Sequence, residues 1–224
     1  MKILILAAMD KEISLLTNLI TNPSLIQISG LDVWQGIISG SEIFISKCGI
    51  GKVNSAVNTL KLIQELHPEL VINSGVAGGA GLPVGSVLVA DRVAYHDVWC
   101  GPGTVYGQAD GVPLYMLPDK GVLNIARKND VVSGLICSGD KFISTPEEIK
   151  FIREKFPDVK AVDMESASIA QTCFLCHVPF SIVRVVSDTP GEGENISQYL
   201  DFWKTAPLKT FSVLKEVITN YTQI

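Results

Sequence analysis

Short, almost unbroken apolar runs alternate with amphipathic stretches along most of this chain, beginning with residues 3–9 and then 10–20. A run without polar alternation suits a strand buried on both faces, and the helical periodicity between such runs supplies the layers that bury it. The alternation predicts an α/β fold: a single three-layer domain, with a mixed central β-sheet flanked by helices.

In detail, strands are expected at 2–8, 25–36, 41–47, 69–74, 86–95, 131–138, 160–162 and 180–186. Helices are expected at 10–20, 52–66, 146–155, 166–175 and 199–221, the last weakened by Pro207. A glycine-rich loop is expected after residue 74, and 97–118 reads as a long irregular stretch, a kind of loop that is usually functional. No linker or repeat divides residues 1–224, so one domain is expected.

Hydrophobic residues form 47% of the chain and charged residues 18%, which excludes disorder and leaves apolar surface for a second subunit. The net charge of −5, without a long basic run, argues against nucleic acid as a partner. The apolar run at 3–9 is too short to span a membrane, and it passes into Asp10-Lys11-Glu12 with no cleavage site of the kind that follows a secretory leader. Cys48, Cys100, Cys137, Cys173 and Cys176, odd in number, read as free thiols in a reducing, cytoplasmic setting.

Several motif searches fail. Gly51-Lys52-Val53 lacks the hydroxyl residue of a phosphate loop, and Gly49-Ile50-Gly51 lacks the third glycine of a dinucleotide fingerprint. Cys173-Phe174-Leu175-Cys176-His177 matches a haem-attachment spacing but suits the end of a buried helix better. His67, His96 and His177 complete no zinc set. The sequons at Asn195 and Asn220 carry no weight in a cytoplasmic protein.

The carboxylates are more informative. Glu12 alone would be a first-turn helix charge. Glu165 and Asp188, however, also fall at the ends of apolar strands, where open α/β sheets place their ligand crevices. The segment Gly75-Val76-Ala77-Gly78-Gly79-Ala80-Gly81 also follows a strand and would face the same crevice.

Seven segments occur in an order that resembles a known family: Ala8-Met9-Asp10-Lys11-Glu12, Cys48-Gly49-Ile50-Gly51-Lys52-Val53, Asn73-Ser74-Gly75-Val76-Ala77-Gly78-Gly79, Tyr95-His96-Asp97, Ser138-Gly139-Asp140-Lys141-Phe142-Ile143, Val162-Asp163-Met164-Glu165 and Arg184-Val185-Val186-Ser187-Asp188. Together they look like the 5′-methylthioadenosine/S-adenosylhomocysteine nucleosidases, with a nucleoside phosphorylase-like fold. The resemblance implies Glu12 as the base that activates water, with Arg184 near that water. It implies Glu165 on the ribose hydroxyls, Met164 against the sugar, and Asp188, supported by Ser187, as the acid toward N7. Phe142 would stack on the base and backbone groups at Ile143 would read its edge. Met9, Ile50, Val76, Ala77, Gly78 and Val162 would complete the substrate site. A cytoplasmic homodimer acting on an adenine nucleoside, needing no cofactor or metal, is what the resemblance implies.

The residue types suit such chemistry. Adenine leaves poorly as an anion, and protonating N7 makes it a neutral leaving group. The ribosyl carbon then gains oxocarbenium character, and a carboxylate beside it stabilises that charge. The absence of arginine from residues 73–79 favours water over phosphate as the nucleophile. Val76 stands where the family often has serine, Asp163 where it has glutamate, and Val98-Trp99-Cys100-Gly101-Pro102-Gly103-Thr104-Val105-Tyr106 departs from its pattern. In the family that loop comes from a neighbouring subunit and covers the 5′ substituent. An aminodeoxyfutalosine hydrolase, a phosphorylase and a non-catalytic nucleoside-binding protein therefore remain alternatives.

Overall fold

In the computed structural model of the protein, residues 1–128, 131–192, 194–205 and 208–221 are described. The first strand, β1 (Lys2–Ala7), explains the unbroken apolar opening. It lies between β4 (Ser41–Lys47) and β5 (Leu70–Gly79), parallel to both. Its side chains alternate between two cores. Leu4 and Leu6 join the cluster under α2 (Lys52–Leu66) and α5 (Ser166–Leu175). Ile3, Ile5 and Ala7 join the cluster under α1 (Asp10–Leu16), α3 (Lys120–Lys128) and α7 (Leu208–Tyr221). A strand with helices on both faces has no solvent side, so every position from Ile3 to Ala7 is apolar. This is the expected three-layer α/β arrangement.

Among the described residues, nine strands form one mixed sheet. One edge is the antiparallel run β2 (Thr21–Ile28), β3 (Leu31–Ile38) and β4. Beyond β5 the sheet closes on itself. β9 (Phe180–Asp188) runs parallel to β5 from Val71 to Gly78. β6 (Val87–Tyr95) pairs with β9 and β7 (Val132–Ser138), and β7 pairs with β8 (Val159–Asp163). β8 returns to β5 antiparallel at Gly78 and Gly79. This closure brings the end of β8 to the ends of β5 and β9.

Two helix starts carry their reasons in the sequence. α4 (Pro146–Lys155) has a full capping box, with Thr145 accepting from the Glu148 N–H and Glu148 from the Thr145 N–H, and proline in its first turn. α6 (Asn195–Thr205) begins earlier than the expected 199 and is separate from α7. Pro207, read as the weak point of one closing helix, lies outside the described residues.

Other expectations are corrected. The single strand at 25–36 is a hairpin, because Ser29 (φ 49°) and Gly30 (φ 79°) both adopt the left-handed conformation that a tight hairpin turn requires. The helix at 10–20 gives way to a 3₁₀ turn at Thr17–Leu19. Helix α3 was not expected. The glycine segment is no loop up to Gly79: β5 continues through it, and β9 continues to Asp188.

Glycine serves there for close packing. A Cβ on Gly79 would lie 2.5 Å from the Leu82 carbonyl oxygen and 2.7 Å from a Val186 methyl. Gly79→Ala is expected to lower unfolding free energy by about 1–3 kcal/mol, measured by urea denaturation with an unchanged m-value.

Candidate active site

The carboxyl ends of β1, β5, β8 and β9 surround one cleft. Its lining includes Met9, Glu12, Ile50, Val76, Ala77, Gly78, Phe142, Val162, Met164, Glu165, Ser187 and Asp188. Ile143 lines a smaller adjoining cavity, shared with Phe142, Gly78 and Asp188. Arg184 lines neither; it stands behind the cleft, 2% exposed, on β9.

Glu12 is both a helix-start residue and a cleft residue. Its Oε2 accepts from the N–H groups of Ala8 and Met9, at 2.9 and 3.0 Å, which caps α1. Its Oε1 accepts from the Val76 N–H at 3.0 Å. Gly75 makes room for this carboxylate, since a Cβ there would sit 2.5 Å from Glu12 Oε1 and 3.2 Å from Arg184 Nη1. Burial pushes the Glu12 pKa up, opposed by the Arg184 charge and the three backbone donors.

Arg184 is tied on its other edges. Its Nε donates to Asp163 Oδ2 at 2.8 Å, and its Nη2 donates to Ser166 Oγ at 3.1 Å and to Asn73 Oδ1. Among the described residues, Nη1 is buried with no hydrogen-bond partner. Burial disfavours the Arg184 charge, but the Asp163, Glu165 and Glu12 carboxylates more than offset it and raise its pKa. Asp163 also accepts from Ser138 Oγ at 2.5 Å, from the Ser166 N–H at 3.2 Å and from Ser166 Oγ.

Glu165 caps the gap between two elements: its Oε1 accepts from the Gly51 N–H, just before α2, at 3.1 Å. Burial and the neighbouring Asp163 charge push it up to about 7, against the Arg184 charge. Asp188 is 2% exposed. Ser187 Oγ donates to its Oδ1 at 2.7 Å and Asn195 Nδ2 to its Oδ2 at 3.2 Å. Burial raises its pKa, opposed by those two bonds.

Sequence reasoning missed several participants. Tyr199 on α6 lines the cleft, with its hydroxyl 3.4 Å from the Met9 sulfur and its ring edge-on to Phe142 at 5.6 Å. Asn73, Ser138, Ser166 and Asn195 hold charged groups in place. Asn73 stood inside a recognised segment, but its role depends on β5 and β9 lying side by side, which local pattern does not encode. Tyr199 and Asn195 follow a stretch without periodicity. Among the described residues, no three His, Cys, Asp or Glu side chains are grouped so as to hold a metal ion.

Residues 2–219 match the family described as the phosphorylase superfamily. A 5′-methylthioadenosine/S-adenosylhomocysteine nucleosidase from Lysinibacillus sphaericus (strain C3-41) is 39% identical over 233 residues, covering 98% of this chain and 100% of that protein. The solved structure of a 5′-methylthioadenosine/S-adenosylhomocysteine nucleosidase from Colwellia psychrerythraea 34H, in complex with adenine, matches with a TM-score of 0.93 at 32% identity, covering 99% of this chain and 96% of that one. An S-adenosylhomocysteine nucleosidase from Streptococcus pyogenes, in complex with 5-methylthiotubericidin, matches with a TM-score of 0.93 at 34% identity, covering 98% and 97%.

Breaking the Asp163–Arg184 pair is expected to be costly, because both side chains are 2% exposed. Asp163→Ala leaves a buried guanidinium short of its partner and is expected to cost about 3–5 kcal/mol in denaturant unfolding. A loss below about 1 kcal/mol, the range of exposed pairs, would contradict this account.

Proposed function

This chain belongs to the phosphorylase superfamily and, within it, to the 5′-methylthioadenosine/S-adenosylhomocysteine nucleosidases, and from that membership we propose that it hydrolyses the N-glycosidic bond of these nucleosides with Glu12 as general base and Asp188 as general acid. The supporting observation is a single cleft lined by Glu12, Glu165 and Asp188, each buried yet open to a ligand.

Asp188 gives its proton to N7, and the C1′–N9 electron pair leaves with a neutral adenine. Glu165 accepts from the ribose hydroxyls and stabilises the cationic sugar. Glu12 takes a proton from water as its oxygen bonds to C1′, giving the 5-substituted ribose. Arg184 Nη1, buried without a protein partner near Glu12, is suited to hold that water. Phe142 stacks on the base, Ile143 backbone groups read its edge, and Met164 packs on the sugar. Met9, Ile50, Val76, Ala77, Gly78 and Val162 supply the remaining walls, and Ser187 supports the acid. Among the described residues, no lysine or arginine lines this cleft, and Lys141 borders only the adjoining cavity, which favours water over phosphate as nucleophile.

A second copy of the chain completes this reading. Ile50, Val53, Val57 and Leu60, at helical spacing on and before α2, are 39–73% exposed. None of residues 98–106 lines the cleft of its own chain, while Trp99 is 59% and Val105 52% exposed. That suits a loop reaching the neighbour's 5′ pocket. The cysteines are unpaired, and no described helix is long and apolar enough to cross a membrane, in keeping with a cytoplasmic enzyme of nucleoside catabolism and methionine salvage.

Purified protein is expected to release adenine from both nucleosides at the same rate with and without phosphate; strict phosphate dependence would make it a phosphorylase instead. The kcat/KM profile is expected to be bell-shaped. It rises as Glu12 ionises and falls as Asp188 loses its proton, with both limbs above ordinary carboxylate values. Asp188→Asn is expected to cut adenine release at least ~10²-fold, and Glu12→Gln to remove the acidic limb along with most activity. Val53→Asp combined with Val57→Asp is expected to sediment as a monomer; an unchanged dimer would exclude this face of α2.

A further inference from the structure

Asn195, the first residue of α6, is 4% exposed and faces the acid. Its Nδ2 lies 3.2 Å from Asp188 Oδ2 and 3.2 Å from the Ile143 carbonyl oxygen. Both neighbours are acceptors, so the amide nitrogen must face them and both its hydrogens are engaged. The reversed amide would set its oxygen against a carboxylate and a carbonyl.

An amide NH₂ cannot accept a hydrogen bond. Asp188 Oδ2 is therefore held as an acceptor in either protonation state. The partner of Oδ1 is different: Ser187 Oγ, at 2.7 Å, is a hydroxyl that can donate or accept. The same hydroxyl lies 3.3 Å from the Ala77 carbonyl oxygen, which takes its hydrogen when Oδ1 is protonated. In the empty cleft the proton of Asp188 is thus favoured on Oδ1, held by Ser187 Oγ, and it turns from that oxygen to N7 when a base binds.

On a purine, N7 and the 6-substituent lie side by side on one edge. A carboxyl facing that edge meets both. With Oδ1 carrying the proton to N7, Oδ2 is left opposite the 6-substituent. It accepts from a 6-amino group but meets a 6-oxo group as a second acceptor, an unpaired arrangement that such sites reject strongly. We propose that Asn195 is a positioning residue that fixes which oxygen of Asp188 carries the proton and thereby makes the site select 6-amino over 6-oxo purine nucleosides. The inference rests on Asp188 being the acid of the nucleosidase.

The other ionisable groups sharing the cleft are Glu12 from α1, Asp163 and Glu165 at the end of β8, and Tyr199 from α6, and Lys141 lines the adjoining cavity beside Asp188. None of them is a hydrogen-bond partner of Asp188, so removing Asn195 leaves Ser187 as the carboxyl's remaining donor.

The test compares kcat/KM across pH for 5′-methylthioadenosine and 5′-methylthioinosine in the wild type, Asn195→Ala and the near-isosteric Asn195→Leu. Thermal unfolding checks that each variant is folded. In both variants the 6-amino substrate is expected to lose about 10–10²-fold, the size of a misplaced proton transfer. The preference over the 6-oxo substrate is expected to narrow at least ~10-fold, because the proton can now reside on either oxygen. The alkaline limb is expected to move to higher pH, since a donor that stabilised the ionised carboxyl is gone. Equal losses on both substrates with an unmoved limb, or no change at all, would overturn the proposal. A wild type inert toward 5′-methylthioadenosine would overturn the nucleosidase reading itself, and is told apart because the failure precedes any substitution.

Discussion

A buried cation, Arg184, organises the acids of this cleft. It sits on a fully buried strand, where an unpaired charge would be untenable. Asp163 neutralises it directly, and Asn73 and Ser166 take further hydrogens of the guanidinium. Its field also reaches Glu12 and Glu165, lowering the cost of their ionisation. Without it, three carboxylates at the ends of neighbouring strands would repel one another in a low-dielectric setting and take up protons. The ion pair is thus less a source of stability than the condition that lets acids gather here at all.

That gathering depends on sheet closure. β1, β4, β5 and β9 run parallel, so their carboxyl ends share one side. β8 runs antiparallel to β5, and in an open sheet its end would point away. Because β8 meets β5 only at Gly78 and Gly79, after the sheet has curved around through β9, β6 and β7, Asp163 and Glu165 arrive over the middle of the cleft. The glycines of β5 allow this approach: Gly79 lets a neighbouring carbonyl lie close, and Gly75 leaves the space that Glu12 and Arg184 both border.

The sequence made some of this legible for local reasons. The apolar runs defined β1 and β9, and the period of α2 gave its limits without error, since both reflect burial of nearby residues. Strand-end acids marked the crevice. What stayed hidden depended on tertiary pairing. Residues 75–79 carry loop-like composition, yet two neighbouring strands hold them extended. The Ser29-Gly30 turn was concealed inside a run of strand-forming residues. Asn195 and Tyr199 meet the cleft only because α6 folds back over Asp188, and Asp163 drew notice as an unusual choice of acid rather than as the partner of Arg184.

Hydrogen-bond partners also explain how two buried carboxylates in one cleft suit opposite tasks. Every partner of Glu12 is a backbone N–H, from Ala8, Met9 and Val76, and a cation stands nearby. Such partners favour the ionised form and offer a proton no acceptor. That is the environment of a base. The side-chain partners of Asp188 are neutral, and one of them is the Ser187 hydroxyl, which can turn to accept. Burial then favours the protonated form, and the hydroxyl accommodates it. That is the environment of an acid. Burial raises both carboxyls above their ordinary values, so what separates their tasks is the kind of partner each one meets: a cation and backbone donors for Glu12, and a hydroxyl that can also accept for Asp188.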